Sequence, residues 1–529
     1  MNGKTKLDDI NTTDIREAIR LGCATMSRCF DADDNDCPFF QVDARPLAKM
    51  EFSRAHSESH VPGRHLNALL NAEDALGIQI DEDAVDKHAQ AAFFSYGGPL
   101  PLPLNREVPK GPDLNFLSHN VREGFHALYA LAQYRNSARA RGIAAASIDV
   151  IFKLWDANRG WDEETLREKY GLTLFPEAFF ITGIARTIGP LVKYYRATGY
   201  GPALELALAL KEKTIAEVFD ADGSFDTARF GTHNHSTTCV MSSLAQLADL
   251  TNDTTLLQRI KSFYDNGLWS LRDEIGFSPE SADPDRTSGQ GEMNNSGDIL
   301  ETALILGRWG YAEYYHDAER IIRCHILPSQ LRDVSFIEEP ANPAGVDGRR
   351  DVAKRLRGAW GFPAPYGHEP VGLVGHERYR VAFNLDIVGG TVGSLCEAYR
   401  ETTRFDAAGH WVNLLFDHET EFMRVRSPYT HPSLEVTLKR PGPLFVRMPP
   451  WVNDDQLRVL GCEREPVRTN GYLFFPGPAV NRPISIEFPL VEQEIVLENT
   501  AGPIRTRLQG DSVAAMDAPD ADLTFFDPL

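Results

Sequence analysis

The chain is long and acidic. It has 529 residues, and its 54 lysines and arginines face 75 aspartates and glutamates, so the formal net charge is −21. Nucleic acid is not an expected partner, because binding to phosphates requires clustered cations. Hydrophobic residues make up 42% of the chain and charged residues 24%, which is typical of a globular protein and not of a disordered or fibrous one. A single hydrophobic core stops growing at roughly 300 residues, so we expect two domains.

Targeting and cofactor signals are missing. Residues 1–9 contain no apolar run, and no later stretch reaches the ~18 apolar residues that span a bilayer, so we expect a cytoplasmic protein without a membrane partner. The seven cysteines are dispersed and show neither a CxxC pair nor a Cys/His ligand spacing. Reduced, mostly buried thiols and no metal are the expectation. A GxGxxG loop after a strand is also missing, so no nucleotide cofactor is expected. A homo-oligomer stays possible.

The first four fifths of the chain have a helical pattern. From about residue 13 to 425 apolar residues recur at helical spacing, with Gly- or Asp-containing breaks, and we count about a dozen helices. Successive helix pairs joined in places by long polar loops predict a mainly α fold, an (α/α)6 toroidal barrel over residues 1–427. Its inner helices would bring their loops together around one cleft. Predicted helix starts include Glu177, Ala203, Leu256, Glu292, Tyr311 and Asn384.

The pattern changes to that of β-strands after about residue 428. Asn470-Gly471 between two strand-like runs predicts a hairpin. Nothing in this region concentrates titratable groups, so we expect a β-sandwich domain over residues 428–529 with a structural role. The strand-like runs are residues 434–438, 444–448, 456–460, 472–475, 484–488 and 494–497.

Two stretches rich in Gly and Pro interrupt the helical pattern, at residues 94–118 and 333–383. Loops of this length are usually functional or disordered. The second contains several aromatic residues, among them Trp360, which favour an ordered lid or cleft wall.

The densest polar segment, residues 273–298, leads into a helix. Glu292 would lie in the first turn, where the macrodipole favours an anion and lowers its proton affinity, whereas Glu280 lies in the preceding loop. Two carboxyl groups in unlike surroundings are what glycoside hydrolysis requires, because one must donate a proton while the other is ionised. The simpler interpretation is a helix-start residue and a solvated loop charge.

Other helix starts are rich in His and Asn. His233 and His235 could be a metal pair, but further ligands are not evident nearby, and hydrogen bonding to sugar hydroxyls suits them better. At a second start, Arg122 and Glu123 could simply be an exposed charged turn. If the inner helices all begin on one face, their starts would line one polyhydroxyl-binding pocket. The predicted substrate-binding residues are His119, Asn120, His233, His235, Asn294, Asp298, Trp360, His368 and Asp386.

The order of these parts resembles glycoside hydrolase family 127 and its neighbours, the β-L-arabinofuranosidase-like proteins. The resemblance covers about residues 230–515, and the N-terminal part agrees only in helical character. It implies an (α/α)6 barrel followed by β-sandwich material, and a carbohydrate substrate. The matching pieces are residues 231–239, 247–253, 264–267, 291–294, 470–472, 486–490 and 505–513.

The departures from that family concern its metal. There, a Glu-x-Cys motif and a later Cys-Cys pair hold zinc, and one of those cysteines is the nucleophile. Here Glu292-Met293-Asn294 and Ile387-Val388 stand in those places, so neither the zinc nor the thiolate is carried over. Glu280 resembles the family's acid/base glutamate, although it lies closer in sequence to Glu292 than the family's spacing.

Our leading hypothesis is a glycoside hydrolase that acts on a small glycoside or oligosaccharide, with Glu280 as general acid and Glu292 as second carboxylate. One alternative is a lyase that abstracts a proton next to the carboxylate of a uronate. The other is a sugar-binding relative that lost catalysis together with its cysteines. The residues that would serve the lyase are Asn120, Arg122, His233, His235 and Tyr379.

Overall fold

The computed structural model describes residues 5–283, 291–360, 381–498, 503–517 and 523–529. Helices dominate as far as residue 402, and strands dominate after it. In the described ranges the α-helices are α1 (Ile15–Met26), α2 (Val61–Leu76), α3 (Glu82–Ser95), α4 (Asn120–Tyr134), α5 (Ala138–Leu154), α6 (Ile188–Thr198), α7 (Gly201–Glu217), α8 (Thr227–Phe230), α9 (Asn234–Thr251), α10 (Thr254–Asp265), α11 (Met293–Arg308), α12 (Glu313–Ile321), α13 (Val352–Leu356) and α14 (Asp386–Thr402).

Six helices form a closed inner ring. In the order α2, α4, α6, α9, α11 and α14, each packs against the next, and α14 closes the ring on α2. A second set, α1, α3, α5, α7, α10 and α12, packs on the outside, so that inner and outer helices alternate along the chain. The chain therefore forms the predicted (α/α)6 toroid.

The burial pattern explains the two rings. Outer helix α5 buries Ala140, Ala144, Ile148 and Ile151, a stripe at helical spacing, and leaves its other side to solvent. Inner helix α9 is buried almost throughout, because neighbours cover it on both sides and an outer helix covers its back. Polar residues on an inner helix are therefore buried as well. Their hydrogen-bond partners must come from other groups inside the barrel.

One predicted helix start differs from the structure. The sequence pattern places a helix start at Glu177, but α6 begins at Ile188, and residues 180–182 and 184–187 form two 3₁₀ turns. Gly183, between these turns, has φ −110° and ψ −124°, which is not helical. This break positions Arg186 at the mouth of the ring.

Two five-stranded sheets follow α14 and share one apolar core, to which Val412, Val446, Val436 and Ile486 contribute. The spatial order in the first sheet is Thr403–Asp406, Gly409–Val412, Leu444–Arg447, Tyr472–Phe475 and Val467–Thr469. In the second sheet it is His418–Glu419, Met423–Arg426, Leu434–Leu438, Pro483–Glu487 and Arg458–Leu460. The predicted hairpin at Asn470-Gly471 is present, with φ of 44° and 77° at its two turn residues.

The last strands belong with the helices. Glu492–Leu497, Ile504–Gln509 and Ser512–Met516 form a three-stranded sheet whose buried side chains, such as Leu508, lie in the apolar core of the toroid. The first strand of the larger sheets already starts at Thr403. The division of the chain at residue 428 stays a prediction.

Small sheets close the loops of the toroid. Gln41–Arg45 is the middle strand between Val381–Asn384 and Lys49–Glu51. Leu114–Phe116 is the middle strand between Leu104–Arg106 and Thr173–Leu174, so residues 94–118 are largely ordered. Residues 361–380, the greater part of the other predicted loop, lie outside the described residues. The remaining pairs are Phe30–Asp31 with Cys37–Pro38, Trp155–Asp156 with Gly160–Trp161, and Thr5–Lys6 with Leu523–Thr524. Among the described helices, none has the length and apolar character needed to cross a membrane.

Candidate active site

The starts of the inner helices differ from those of the outer helices in their caps. Four outer helices begin at Asp14, Asp81, Ser137 and Asp253, whose side chains accept a hydrogen bond from the first turn. The residues preceding the inner helices make no such bond. Capping usually stabilises a helix start, so its omission at all six inner helices, against two of the six outer ones, favours a functional site at the inner starts. The inner N-cap residues are His60, His119, Thr187, His233, Glu292 and Leu385.

The two carboxyl groups that the sequence singled out come together. Pro279 and Gly291 form an antiparallel β-bridge, so Glu280 and Glu292 lie on neighbouring segments, one on either side of the bridge. Glu292 is 6% exposed, and Asn294 donates from Nδ2 to its Oε1 at 2.9 Å. Glu280 is half-buried.

The proton affinity of Glu292 is the opposite of the expected one. Burial, followed by the negative charge of Glu280, raises the pKa of Glu292 from 4.5 to about 8. The expectation of a lowered affinity rested on the helix macrodipole, which contributes only a few tenths to about 2 kcal/mol, whereas desolvation of a fully buried carboxylate shifts its pKa by up to about 3–5 units. Glu292 is therefore protonated at neutral pH.

His235 is the centre of the buried polar network. Nη2 of Arg64 lies 3.0 Å from Nε2 of His235. Nη2 of Arg186 lies 3.0 Å from Nδ1 of the same ring. Its Nδ1 is also 3.2 Å from Glu292, and its Nε2 is 3.5 Å from Asp298. Burial and the nearby arginines lower the pKa of His235 well below its ordinary value, so the ring is neutral. A neutral imidazole has one N–H, which can face only one of these carboxyl groups.

Asp298 is also a candidate proton donor. Burial raises its pKa to about 7, against the opposing charge of Arg122, whose Nη2 is 3.7 Å away. Thr238 donates to Asp298 at 3.2 Å from the neighbouring inner helix. Two buried carboxyl groups of the site, Glu292 and Asp298, thus hold protons near neutral pH.

A neighbouring wall of the site, formed by His60 and Asp386, stays negatively charged. Nε2 of His60 lies 3.2 Å from Oδ2 of Asp386, and its Nδ1 lies 3.0 Å from Oδ1 of Asn120. Although burial opposes it, the hydrogen bond from His60 lowers the pKa of Asp386 to about 2. Asn294 bridges to this wall, with its Nδ2 3.4 Å from Asp386. The site therefore combines protonated and ionised carboxyl groups.

Glu123 anchors the arginines. Its side chain is fully buried, Nη1 of Arg122 donates to it at 2.6 Å, and Nε of Arg64 lies 3.0 Å away. Although burial opposes it, the charges of Arg122 and Arg64 hold the pKa of Glu123 well below its ordinary value. Arg122 and Glu123 are thus part of the buried network, and the interpretation as an exposed charged turn is wrong.

A stack of histidines borders the site. The rings of His56 and His119 are stacked with centroids 5.3 Å apart, and His60 contacts both edge-on. Burial, followed by the charge of Arg186, lowers the pKa of His119 well below its ordinary value. Burial, followed by the charge of His60, lowers that of His56 to about 3. Both rings are available as neutral acceptors.

Arg186 is a member of the site that the sequence did not indicate. Its side chain is 2% exposed, its Nε has no hydrogen-bond partner, and among the described residues it forms no ion pair. An uncompensated buried charge is costly, which points to a negatively charged partner. No motif marks residue 186, because it lies in a 3₁₀ turn within a stretch that the sequence pattern assigned to an α-helix.

Most predicted site residues meet at the helix starts, but Trp360 does not. Trp360 is fully buried in the helical core, where its Nε1 donates to the carbonyl of Ile326 at 2.8 Å, so its described contacts are structural. His368 lies outside the described residues, as does Tyr379. Apart from Glu280, which lies in a loop, the other described predicted members lie at the starts of inner helices α4, α9, α11 and α14. His60 and Arg64, from the His- and Asn-rich helix start at residues 60–67, also lie in the site, and the structure adds His56, Glu123 and Arg186.

An aromatic cavity of about 390 Å³ lies beside the site. Ser118, which precedes His119, lines it, together with Glu177, whose pKa burial raises to about 7. Phe179 in its wall packs against Gly231 at the approach to α9. Aromatic walls with a few polar groups suit the apolar face of a sugar ring. The aromatic members are Phe116, Trp155, Trp161, Phe175, Phe179 and Phe180.

The zinc of family 127 does not fit these residues. Asn294 stands at the cysteine position, and its amide directs N–H groups at Glu292 and Asp386 instead of a lone pair at a metal. His233, His235 and Glu292 do bring ligand-type atoms within 4.8 Å of one another. Yet Arg64 and Arg186 lie against both ring nitrogens of His235, so a cation there would face two positive charges.

The fold is that of toroidal glycoside hydrolases. No family model matches the chain. No curated protein matches it either. Among solved structures, a GH127 β-arabinofuranosidase superposes with a TM-score of 0.55 at 14% identity, covering 94% of this chain and 78% of that one.

Two further solved structures are similar. A GH127 β-L-arabinofuranosidase from Geobacillus stearothermophilus T6 has a TM-score of 0.53 at 13% identity, and the match covers 94% of this chain and 80% of that one. A protein described as a glycoside hydrolase has a TM-score of 0.53 at 12% identity over 85% of this chain and 76% of that one. The chain therefore has a distant GH127-like fold, as the sequence resemblance implies.

Proposed function

We propose that the protein is a glycoside hydrolase that cleaves a small glycoside or oligosaccharide by carboxylate acid/base chemistry. The observation that carries this proposal is the Glu280–Glu292 pair, a half-buried carboxylate beside a buried carboxylic acid whose pKa is raised to about 8. Glycoside hydrolysis requires one group of each kind flanking the scissile bond.

In the proposed reaction the two roles are the reverse of those expected from the sequence. The carboxylic acid of Glu292 donates its proton to the glycosidic oxygen as the bond from that oxygen to the anomeric carbon breaks. The carboxylate of Glu280 either attacks the anomeric carbon or takes a proton from the attacking water. A distance of about 5 Å between the two carboxyl groups would give retention of configuration at the anomeric carbon, and a distance of about 6.5–9.5 Å would give inversion.

The surrounding groups suit a polyhydroxylated ligand. Asp386 and the neutral rings of His56 and His119 accept hydrogen bonds, whereas Asn294 and Arg64 donate them. The adjoining aromatic cavity would take a second sugar unit of an oligosaccharide. We propose a carbohydrate substrate on these grounds.

The first substrates to test are pentofuranosides, because two of the structurally similar proteins are described as β-arabinofuranosidases. A panel of nitrophenyl furanosides and pyranosides, incubated with the purified full chain, would identify the sugar from nitrophenol release. Hydrolysis of at least one glycoside supports the proposal. Stabilisation by a sugar without turnover, unchanged in Glu280→Gln, would favour a sugar-binding protein that has lost catalysis.

The second candidate is a lyase acting on a uronate, and Arg186 favours it. Its buried guanidinium makes no ion pair with a described carboxylate, so the carboxylate of a uronic acid would neutralise it. Neutral His119 would then abstract the proton next to that carboxylate. A product with a new double bond, absorbing in the near ultraviolet, would identify a lyase. A saturated reducing sugar would identify a hydrolase.

A further inference from the structure

A second polar cluster lies outside the ring of the active site, buried between α1, α2 and α3. It consists of Cys29, His65 and His88, each with no exposed surface. Their potential ligand atoms all lie within 4.8 Å of one another. No sequence motif links them, because they come from separate segments of the chain.

The distances inside this cluster are those of a tetrahedral metal site. Sγ of Cys29 is 3.6 Å from Nδ1 of His65 and 3.9 Å from Nε2 of His88, and the two nitrogens are 3.2 Å apart. Zinc bonds of about 2.3 Å to sulfur and 2.0–2.1 Å to nitrogen at tetrahedral angles would separate these atoms by about 3.6 Å and 3.3 Å. Each observed distance agrees within about 0.3 Å.

A fourth ligand is in place. The carbonyl of Met26, the last residue of α1, lies beyond the hydrogen-bond ladder of its helix. Its oxygen is 3.3 Å from Sγ of Cys29 and 3.1 Å from Nε2 of His88, distances that suit a fourth ligand of the same ion. Four protein ligands without an open position are typical of a structural zinc site and not of a catalytic one.

The outer contact of His65 supports metal binding. Nε2 of His65 lies 2.9 Å from the carbonyl of Leu385, to which it donates, so Nδ1 of that ring carries the lone pair that faces the cluster. Metal-bound histidines are usually oriented in this way by a carbonyl on their other nitrogen. Leu385 precedes Asp386, so this contact connects the cluster to the wall of the active site.

We propose that Cys29, His65, His88 and the Met26 carbonyl bind one zinc ion, which fastens α1, α2 and α3 to the start of α14. On binding, the thiol of Cys29 releases its proton to solvent and the thiolate forms the bond to zinc. The ion has a structural role and does not take part in the reaction. This inference does not rest on the proposed glycosidase activity.

Metal content tests the proposal. Because the cluster is fully buried, zinc is supplied during expression of the full chain, and zinc per chain is measured after desalting. We expect about one equivalent in the native protein and in Cys23→Ser, which changes a buried cysteine of α1 outside the cluster. Cys29→Ser and His88→Gln should each lose at least ~90% of the metal. Native protein without zinc, or full zinc content in Cys29→Ser, would overturn the proposal.

Cobalt provides a readout that does not depend on the folding of Cys29→Ser. Native protein produced with cobalt should show a thiolate-to-cobalt charge-transfer band and the intense visible bands of a tetrahedral ion. Cys239→Ser should keep these bands, although Cys239 lies with His235 and Asp298 in another group of ligand-type atoms. Loss of the bands in Cys239→Ser, or a native spectrum without a charge-transfer band, would show that Cys29 does not bind the ion. If Cys29, His65 and His88 are held together by hydrogen bonds alone, the native protein shows no charge-transfer band.

Discussion

Glu280 and Glu292 lie on either side of the antiparallel bridge between Pro279 and Gly291, and the negative charge of Glu280 raises the pKa of Glu292. Like charges cannot both be accommodated at short range, so one carboxyl of such a pair keeps its proton. The buried member, Glu292, is the one that keeps it. The raised pKa of Glu292 follows from its burial and from the charge of Glu280, and it does not depend on the identity of the sugar.

The first prediction concerns the pH dependence of turnover. Glu292 must be protonated to act as an acid, so kcat/KM should fall as the pH rises through about 8. A pH–rate profile of the native protein on its best glycoside measures this limb. If Glu280 raises the pKa through its charge, Glu280→Gln should move the limb to lower pH in the residual activity. A limb at the same pH in Glu280→Gln would contradict the coupling.

The second prediction concerns stability. Because the folded chain holds the Glu292 proton more tightly than the unfolded chain, its contribution is fully present below pH 4.5 and is lost as the pH rises to about 8. Glu292→Gln removes the buried charge, so its Tm should exceed that of the native protein at pH 9, with a smaller difference at pH 5. Exposed Glu313, mutated to Gln, is the control and should follow the native protein. Equal differences at both pH values would count against a raised pKa.

The third prediction concerns a buried ion network that joins α12 to the sheets. Glu319 is fully buried, accepts a hydrogen bond from Arg323 at 2.9 Å, and forms an ion pair with Arg447 of the first sheet. Its Oε2 also accepts from the backbone of Leu415 at 3.0 Å. Glu319→Ala leaves two buried guanidinium groups without this partner and should cost about 3–5 kcal/mol.

Urea denaturation measures this loss. Glu313→Ala, an exposed change in the same helix, should stay within about 0.5 kcal/mol of the native protein. A loss below about 1 kcal/mol for Glu319→Ala would mean that the network contributes little to stability.

The fourth prediction concerns the Asn470-Gly471 turn. Gly471 has a φ of 77°, which disfavours any side chain, and an added Cβ would lie 3.2 Å from the Cβ of Ala312. Gly471→Ala should therefore destabilise the protein by about 1 kcal/mol. Gly477, whose added Cβ would meet no atom within 4 Å, is the matched control. Equal midpoints of thermal unfolding in the two variants would contradict the prediction.

The toroid could be predicted from the sequence because its signals are local. Apolar spacing marks a stripe such as Ala140, Ala144 and Ile148 on an outer helix, and the turn at Asn470-Gly471 marks a hairpin. The break at Gly183, whose dihedral angles are not helical, has no comparable signal in the sequence. The predicted helix start at Glu177 is therefore earlier than the observed start of α6 at Ile188.

The site was harder to predict, since its properties arise between helices. The sequence indicated polar helix starts, and four of the inner helices carry predicted residues. The burial of Glu123 and the lack of an ion pair at Arg186 among the described residues depend on packing between several elements. No spacing of residue types in the sequence predicts either property. Trp360 is an aromatic residue of the kind that lines sugar-binding clefts, but it lies in the core. The pKa of Glu292 was misjudged because the helix dipole is visible in a sequence and desolvation is not.

The most direct test of the account is kcat/KM on the best glycoside for three variants. Glu292→Gln and Glu280→Gln should each lower it at least ~100-fold, the lower end of what acid/base catalysis contributes, while Glu313→Gln stays at the native rate. Near-native rates in both active-site variants would contradict the carboxylate mechanism.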